Sequence, residues 1–540
     1  MIDFPTGRPP TLALRGMVVC PHALASEAGV EILKAGGSAV DAAIAASAVL
    51  SVVTPQWTGI GGDAFWLIYD ASRNAVRFLN GGGRAAAAAT LDALRSRHEE
   101  IPLRGVVPAT LTVPGAVDSW CVAHAEFGKL PFARDLRAAV EYARDGFPVT
   151  ERLARWIALT AEQKVFNEAA ARWLLPEGKA PRPGARLASP DLARTLEAVA
   201  AAGRDGFYEG EVARELARFA RERGGFFAES DFRAQRSDWG EPISGVYRGV
   251  RIYETPPPTQ GFTVLEMLNL LEPYAVGEWP FLGADHVHFL VQAKQIAYHD
   301  RDACLADPGF ADVPVERLIS RAYADERRRL IDPARALPWD KVPAHGSLAG
   351  GTVYVGAVDA QGNAASLIHS VYGVFGSGVV AGRTGVVLQN RGAYFSLDPR
   401  HPNRLAPGKR PLHTLIASLA FRGERLWQVL GCMGADGQPQ IHLQAYTALV
   451  DFGLNVQAAL EMPRWLSGRF ALGEPRDLLN IEARYPAETI AALERRGHTV
   501  NRWPAWNELA GHAHGITIDP ETGTLSGGAD PRSDGAAIGY

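Results

Sequence analysis

One hydroxyl in this sequence stands where cutting the chain would place an amine beside it. Gly350 and Gly351 run straight into Thr352-Val353-Tyr354-Val355-Gly356-Ala357-Val358, a β-favouring segment whose first residue is Thr352. A threonine hydroxyl is a weak nucleophile unless a base adjoins it. Making the threonine the first residue of a chain turns its own α-amine into that base. The amine has a reference pKa of about 7.7–8.0, so part of it is neutral near pH 7, and the proton moves within one residue. This chemistry requires scission between Gly351 and Thr352, with small residues letting the hydroxyl reach the preceding carbonyl. The same threonine would begin a strand from β-propensity alone. The residues by themselves leave both readings open.

Other chemistries find little support. The chain contains no G-x-S-x-G, H-E-x-x-H, Walker loop or G-x-G-x-x-G. "GIGGDAF" (Gly59 to Phe65) lacks the Lys-Ser/Thr of a phosphate loop and reads as tight packing. His286 and His288 fall in a helical pattern, which puts them on different faces and argues against a metal pair. "YHDRD" (Tyr298 to Asp302) reads as a solvated helix end. No metal and no cofactor is expected. A net charge of −4 and a pI of about 6.4 give no basic excess for nucleic acid. The four cysteines are scattered and read as reduced thiols of a cytoplasmic protein. No apolar run is long enough for a membrane span, and the first residues lack the pattern of a secretory signal.

The elements that must position Thr352 are partly legible. Leu24, Ala28 and Ile32 mark a helix stopped at Gly36-Gly37. Ser38 then caps a second helix, with Asp41 three residues on, and that helix runs to about Val53. "FWLIYD" and "AVRFLN" (Phe65 to Asp70, Ala75 to Asn80) predict a hairpin. Residues 131–223 are mostly helical, a strand follows near 249–258, and a long helical pattern spans 263–302. The linker Asp332 to Gly351 is rich in Pro, Gly and Ser and has no periodicity, which marks a functional or disordered segment. After it come strands at 352–358, 364–372, 385–390, 414–421 and 426–431. With 47% hydrophobic residues, helices followed by strands predict layers around one shared core.

Against that background the chain resembles the gamma-glutamyltransferases, members of the N-terminal-nucleophile hydrolases. The resemblance runs along essentially the whole length. It is carried by the opening helix pair with "GIGGDAF", then by "TVPGAVDSW", "ARDGFPV", "ISGVYRGVRIYETPPPTQGF" and "DRDACLADPGF". "TVYVGAVDAQGNAAS", "FGSGVV", "GKRPLHT", "DFGLNV" and "ADPRSDGAAIGY" follow in order. It implies an α+β fold, a four-layer αββα sandwich made as one precursor. Cleavage would give a large part, 1–351, and a small catalytic part, 352–540, which stay together as a heterodimer and pair further into a dimer of these. Thr352 falls on the family's nucleophile. Ser370 falls on a hydroxyl that orients it, and the backbone N–H groups of Gly434 and Ala435 on the oxyanion hole. Alanine there is acceptable if its φ allows it.

The departures concern substrate. The family's carboxylate-binding arginine aligns near Gly82, with Arg84 two residues on as a candidate substitute. The acidic pair that grips an α-amine appears as Ala393 and Tyr394. The paired serines are His413 and Thr414, a pocket asparagine is Tyr372, and a glutamine is Arg391. Losing an acid while gaining Arg391 and His413 implies an acyl group with a carboxylate and no ammonium. "GGDAFW" and "MGADGQPQ" look more like the acylase and oxamate amidohydrolase branch. The expected function is therefore an autoprocessing amide hydrolase or acyltransferase acting on a small amide. The family's place in glutathione metabolism is one reading. An oxamate- or glutaryl-amide hydrolase without gamma-glutamyl activity is the alternative, and an uncleaved scaffold relative is the second alternative.

Overall fold

Alternation along the strand that begins beside Thr352 sets the architecture. In this computed structural model, which describes residues 7–339, 350–470 and 475–540, the strand spans Gly351–Val358 and is buried throughout. Val353, Val355 and Ala357 join one apolar cluster, while Tyr354 and Val358 join another. Both faces are therefore covered, as a near-continuous apolar run requires.

The strand is the third of seven in an antiparallel sheet ordered Ala536–Gly539, Met17–Cys20, Gly351–Val358, Ala364–Tyr372, Asp63–Asp70, Ala75–Gly81 and Asp238–Gly240. A second seven-stranded sheet runs Thr11–Ala13, Leu525–Ala529, Ala513–Ile518, Arg425–Cys432, Ala417–Arg422, Val250–Glu254 and Ile243–Tyr247. Between the sheets sits an apolar layer including Phe65, Leu67, Tyr354, Ile368, Leu419, Val429 and Ile516. Helix Ala39–Val53, buried along its whole length, covers the outer face of the first sheet. Helices Phe262–Leu271, Ala284–Cys304 and Gln438–Val450 cover the second. The result is the expected αββα sandwich.

Several expectations hold in detail. Helix Ala23–Lys34 ends before Gly36, whose φ of +91° suits glycine. Ser38 and Asp41 form a true capping box at Ala39–Val53. The hairpin pairs Asp70 with Ala75. Others are corrected. Residues 385–390 form no strand; they make only isolated bridges, Val380 with Val387 and Gly61 with Leu388. The long helical pattern after 263 is two helices, with Pro273 and Pro280 lying between them. "YHDRD" is not solvated, because Tyr298, Asp300 and Arg301 are all buried. The linker expected over 332–351 lies mostly outside the described residues.

The two sheets meet closely where Gly431 faces Tyr354. A Cβ at Gly431 would run into the Tyr354 ring. Gly431→Ala must therefore shift the nucleophile strand or separate the sheets. A loss of about 1–3 kcal/mol is expected from overpacking, readable as a lower denaturation midpoint, together with slower appearance of the cleaved product.

Candidate active site

Thr352 is 1% exposed and lies at a break in register, between the pairs Gly351↔Tyr372 and Val353↔His369. Its parity is that of Tyr354 and Val358, which pack into the layer between the sheets. Ser370 has the same parity as Ile368 on the adjacent strand. Strand geometry thus brings both hydroxyl-bearing residues to the inter-sheet side at one end of the sheet.

The surroundings of the Gly351–Thr352 peptide bear directly on scission. Ser370 Oγ donates a short hydrogen bond to the carbonyl oxygen of Gly351, and accepts one from the Tyr372 N–H at 2.7 Å. The carbonyl that scission would attack is thus already polarised. A Cβ on Gly351 would stand 2.8 Å from the carbonyl oxygen of Gln56 and 2.9 Å from Trp57 Cα. A Cβ on Gly350 would stand 2.9 Å from Ala435 Cβ and 3.0 Å from the Tyr372 carbonyl oxygen. The two glycines are needed because the chain threads a slot too narrow for side chains.

That contact also places the expected oxyanion donors beside the cleavage site. Gly434 has φ +151°, and a Cβ there would meet Ile441 Cδ1 at 2.9 Å. Ala435 has φ +48°, in the left-handed region, so alanine is accommodated at a modest strain cost. The turn is held from below. Gln260 Nε2 donates to the carbonyls of Ala435 (3.1 Å) and Thr414 (2.8 Å). Arg301 Nη1 donates to Gln260 Oε1 at 2.6 Å and pairs with Asp436 Oδ1 at 2.5 Å. Tyr298 and Tyr394 hydroxyls donate to the Asp436 carbonyl and to Asp436 Oδ2. Gln260, Arg301 and Asp436 are not among the functional residues expected from the sequence. The signal was present, since an Arg between two Asp residues in a buried helix must find a partner.

Around this centre the substrate candidates separate. Arg391 is 1% exposed, and burial lowers its pKa. Its guanidinium carbon lies 4.5 Å from the Tyr372 ring centroid and 5.2 Å from that of Tyr394. Nη1 donates to Thr414 Oγ1 at 3.0 Å, while Nε and Nη2 have no hydrogen-bond partner. Among the described residues no carboxylate forms an ion pair with it. Tyr372, at φ +72°, and Tyr394 also line a cavity of about 780 Å³ with Ala393, Leu397 and Arg469.

His413 and Arg84 do not join this group as expected. His413 is fully buried and bonded through Nε2 to Asp63 Oδ2 at 2.9 Å. Burial, and then Arg391, push its pKa down to about 4, so it carries no positive charge near pH 7. Asp63 in turn accepts from the Gly83 and Gly115 N–H groups and from Gln389 Nε2. Arg84 turns outward to Asp238 Oδ2 at 2.8 Å. The space beside Gly82 is filled instead by Phe65 and by Arg410, whose Nε donates to the Gly82 carbonyl. Arg84 is therefore not a replacement carboxylate anchor.

Two antiparallel sheets between helical layers, with a threonine strand threaded past an oxyanion-type turn, define an N-terminal-nucleophile hydrolase. Comparison with known proteins agrees. The chain belongs to the gamma-glutamyltranspeptidase family, whose model matches residues 25–540. It is 42% identical to the glutathione hydrolase-like YwrD proenzyme of Bacillus subtilis (98% of this chain, 99% of that one). It is 39% identical to the oxamate amidohydrolase proenzyme of Klebsiella pneumoniae over the same shares. Identity to the glutathione hydrolase proenzyme of Escherichia coli is 32% (98% and 93%). Among solved structures, cephalosporin acylase from Bacillus halodurans superposes with a TM-score of 0.90 at 37% identity, covering 100% and 98% of the two chains. A gamma-glutamyltranspeptidase chain from Helicobacter pylori gives 0.57 at 26%, covering 63% of this chain and 97% of its own. The protein is thus an enzyme of this family, of its acylase and oxamate amidohydrolase branch. No helix among the described residues is long and apolar enough to cross a membrane.

The Arg301–Asp436 pair yields a direct expectation. Arg301→Met leaves the Asp436 carboxylate buried without its cation. A stability loss of about 3–5 kcal/mol is expected from breaking such a pair, measured by chemical denaturation, with Gln260, which braces the Gly434–Ala435 turn, losing the donor that orients it.

Proposed function

We propose that the chain cleaves itself between Gly351 and Thr352 and that Thr352 then acts as an N-terminal nucleophile on a small amide whose acyl group ends in a carboxylate. In the precursor, Thr352 Oγ attacks the Gly351 carbonyl carbon and the C–N bond breaks, its nitrogen taking the proton. That bond cleavage frees the Thr352 α-amine, and water then hydrolyses the ester between Gly351 and Thr352 Oγ, releasing the hydroxyl and the Gly351 carboxylate. The Ser370 hydrogen bond to the Gly351 carbonyl supports this step. Residues 1–351 and 352–540 are then the two subunits. The matched Helicobacter chain covers a share of this sequence close to that of residues 1–351, which fits such a division. Each sheet mixes strands from both parts, with Met17–Cys20 beside Gly351–Val358 and Val250–Glu254 beside Ala417–Arg422. Scission therefore leaves them interlocked as a heterodimer.

In turnover the freed amine takes the Thr352 hydroxyl proton as Oγ attacks the substrate carbonyl, and the Gly434 and Ala435 N–H groups hold the oxyanion. The proton passes to the leaving amine. Water then releases the acyl group by the same route in reverse.

Arg391 carries the assignment of substrate class. A buried guanidinium without a carboxylate is costly unless a ligand supplies one, and two of its donors await a partner. The nearby acids have their lone pairs occupied, Asp436 by Arg301 and Tyr394 and Asp63 by His413, Gln389 and the Gly83 and Gly115 N–H groups, which leaves little for a substrate ammonium. Oxamate, named for one relative, and a glutaryl amide both satisfy this pattern. A gamma-glutamyl donor, which adds an α-ammonium, does not, and this sets the chain apart from glutathione breakdown.

Two measurements test the proposal. On a denaturing gel the purified wild type should run as bands of about 38 and about 20 kDa, the 58.1 kDa of the chain divided at residue 351. Thr352→Ala should remain one band and be inactive. A single full-length wild-type band would instead favour a scaffold. Arg391→Gln should raise KM for oxamate or a glutaryl amide by about 10- to 150-fold, the worth of a charged hydrogen bond, while His413→Gln should not. Efficient use of a gamma-glutamyl anilide with oxamate and glutaryl amides ignored would refute the substrate class.

A further inference from the structure

Away from the cleft, three side chains of metal-binding type meet where three helices converge. Asp41 lies in the first turn of Ala39–Val53, His124 in the last turn of Ala116–Phe127, and Asp135 in the first turn of Phe132–Asp145. One donor atom from each lies within 4.8 Å of the others. His124 Nε2 is 3.7 Å from Asp41 Oδ1, 3.8 Å from Asp135 Oδ2 and 2.8 Å from the Leu130 carbonyl oxygen. A Cβ on Gly128 would fall 2.5 Å from His124 Cδ2, so glycine is what leaves the ring its position.

Both carboxylates are 0% exposed. Asp41 Oδ2 accepts from the Ser38, Lys129 and Leu130 N–H groups. Asp41 Oδ1 and both oxygens of Asp135 accept from no group outside the cluster. Among the described residues no Lys or Arg forms an ion pair with either acid. Two buried carboxylates this close do not both stay ionised without a cation between them. One shared proton would satisfy an oxygen of each and leave the third bare.

We propose that Asp41, His124 and Asp135, with the Leu130 carbonyl, form a structural site for a divalent first-row transition ion of zinc type. The dication balances the two carboxylates. One imidazole with carboxylate and carbonyl oxygens suits zinc, whereas calcium takes oxygen ligands only. Tetrahedral bonds of about 2.0–2.1 Å set ligand atoms about 3.3 Å apart, so the two nitrogen–carboxylate separations would contract by about 0.4–0.5 Å and the His124 Nε2–Leu130 oxygen separation would open by about 0.5 Å. A groove of about 530 Å³ is lined by chain neighbours of the cluster, Ser38, Ala39, Phe127, Gly128 and Lys129. The ion would tie together three helices of the layer over the first sheet. One of them, Ala39–Val53, is also joined to the far end of the nucleophile strand, since the Ala39 N–H donates to Asp359 Oδ2 at 3.2 Å.

The test uses untagged full-length protein stripped with chelator, re-equilibrated with zinc chloride and gel-filtered. About one zinc per chain is expected by elemental analysis. A rise in melting temperature of about 2 °C is expected at zinc a hundredfold above its Kd, for a chain of this length. Calcium chloride should produce no rise. Asp135→Asn and His124→Ala should each lose both the zinc and the shift; His124 is partly exposed and its variant serves if Asp135→Asn does not fold. Wild type that retains no zinc and shows no shift overturns the proposal, and so does zinc retained undiminished by the variants. A metal-free Asp135→Asn melting at or above a zinc-indifferent wild type would assign the pair to a shared proton instead.

Discussion

The structure turns on a steric constraint, the slot through which Gly350 and Gly351 pass. Trp57 and the Gln56 carbonyl form one wall, and Ala435 and Tyr372 form the other. No side chain fits, so the chain reaches Thr352 in one path. That path sets the Gly351 carbonyl against Ser370 and brings Gly350 against the Gly434–Ala435 turn. The flanking elements are arranged around this passage. Gly61 and Gly62 allow the Trp57 loop to press on Val387 and on the Ser370 carbonyl, and Ala435 tolerates a left-handed φ of +48°. Strain of this kind persists only where the surroundings over-determine it, which is what the Gln260–Arg301–Asp436 brace does here.

Two buried arginines near the slot show how charge divides between stability and function. Arg301 has counter-charges in Asp436 and Asp302, and removing it would strand the buried Asp436 carboxylate. Arg391 is equally buried but rests on the faces of Tyr372 and Tyr394 and on one threonine hydroxyl. Cation–π contact of this sort supplies about 0.5–2 kcal/mol, short of what full burial of a charge costs. On the substrate class proposed above, a ligand carboxylate removes that deficit on binding. A substituted acid at residue 393 or 394 would remove it permanently and close the site to an anionic acyl group.

Much of this fold was legible because its elements carry strong local patterns. The capping box at Ser38 and Asp41, the hairpin over 63–81 and the strands from 351 to 372 declared themselves by spacing, turn chemistry and β-branched runs. Residues 385–390 misled because an apolar run bounded by turns does not distinguish a strand from a buried loop that makes only single bridges. At the site, Thr352, Ser370, Gly434 and Ala435 were reached through resemblance, and the structure brings them together. His413 and Arg84 show the limit of reading charge from residue type. Whether a histidine is charged depends on burial and on Asp63, 350 positions away in the chain, and where an arginine points depends on Asp238. Neither partner is visible in local sequence.

On the proposed substrate class, acyl length is selected as well as charge. The oxyanion turn is fixed by Gln260, and Arg391 is fixed by two aromatic faces and Thr414, so neither end of a bound acyl group has much freedom to adjust. In oxamate the carboxylate is bonded directly to the reacting carbonyl carbon, whereas in a glutaryl amide three methylenes intervene. A guanidinium locked at one distance from the nucleophile rewards one of these spacings and leaves the other stretched or folded, losing the near-attack geometry on which acyl transfer depends. Selectivity by chain length then follows from rigidity at both ends, with the hydrophobic worth of each methylene, about 0.8 kcal/mol, too small to compensate for a carboxylate that cannot reach Arg391.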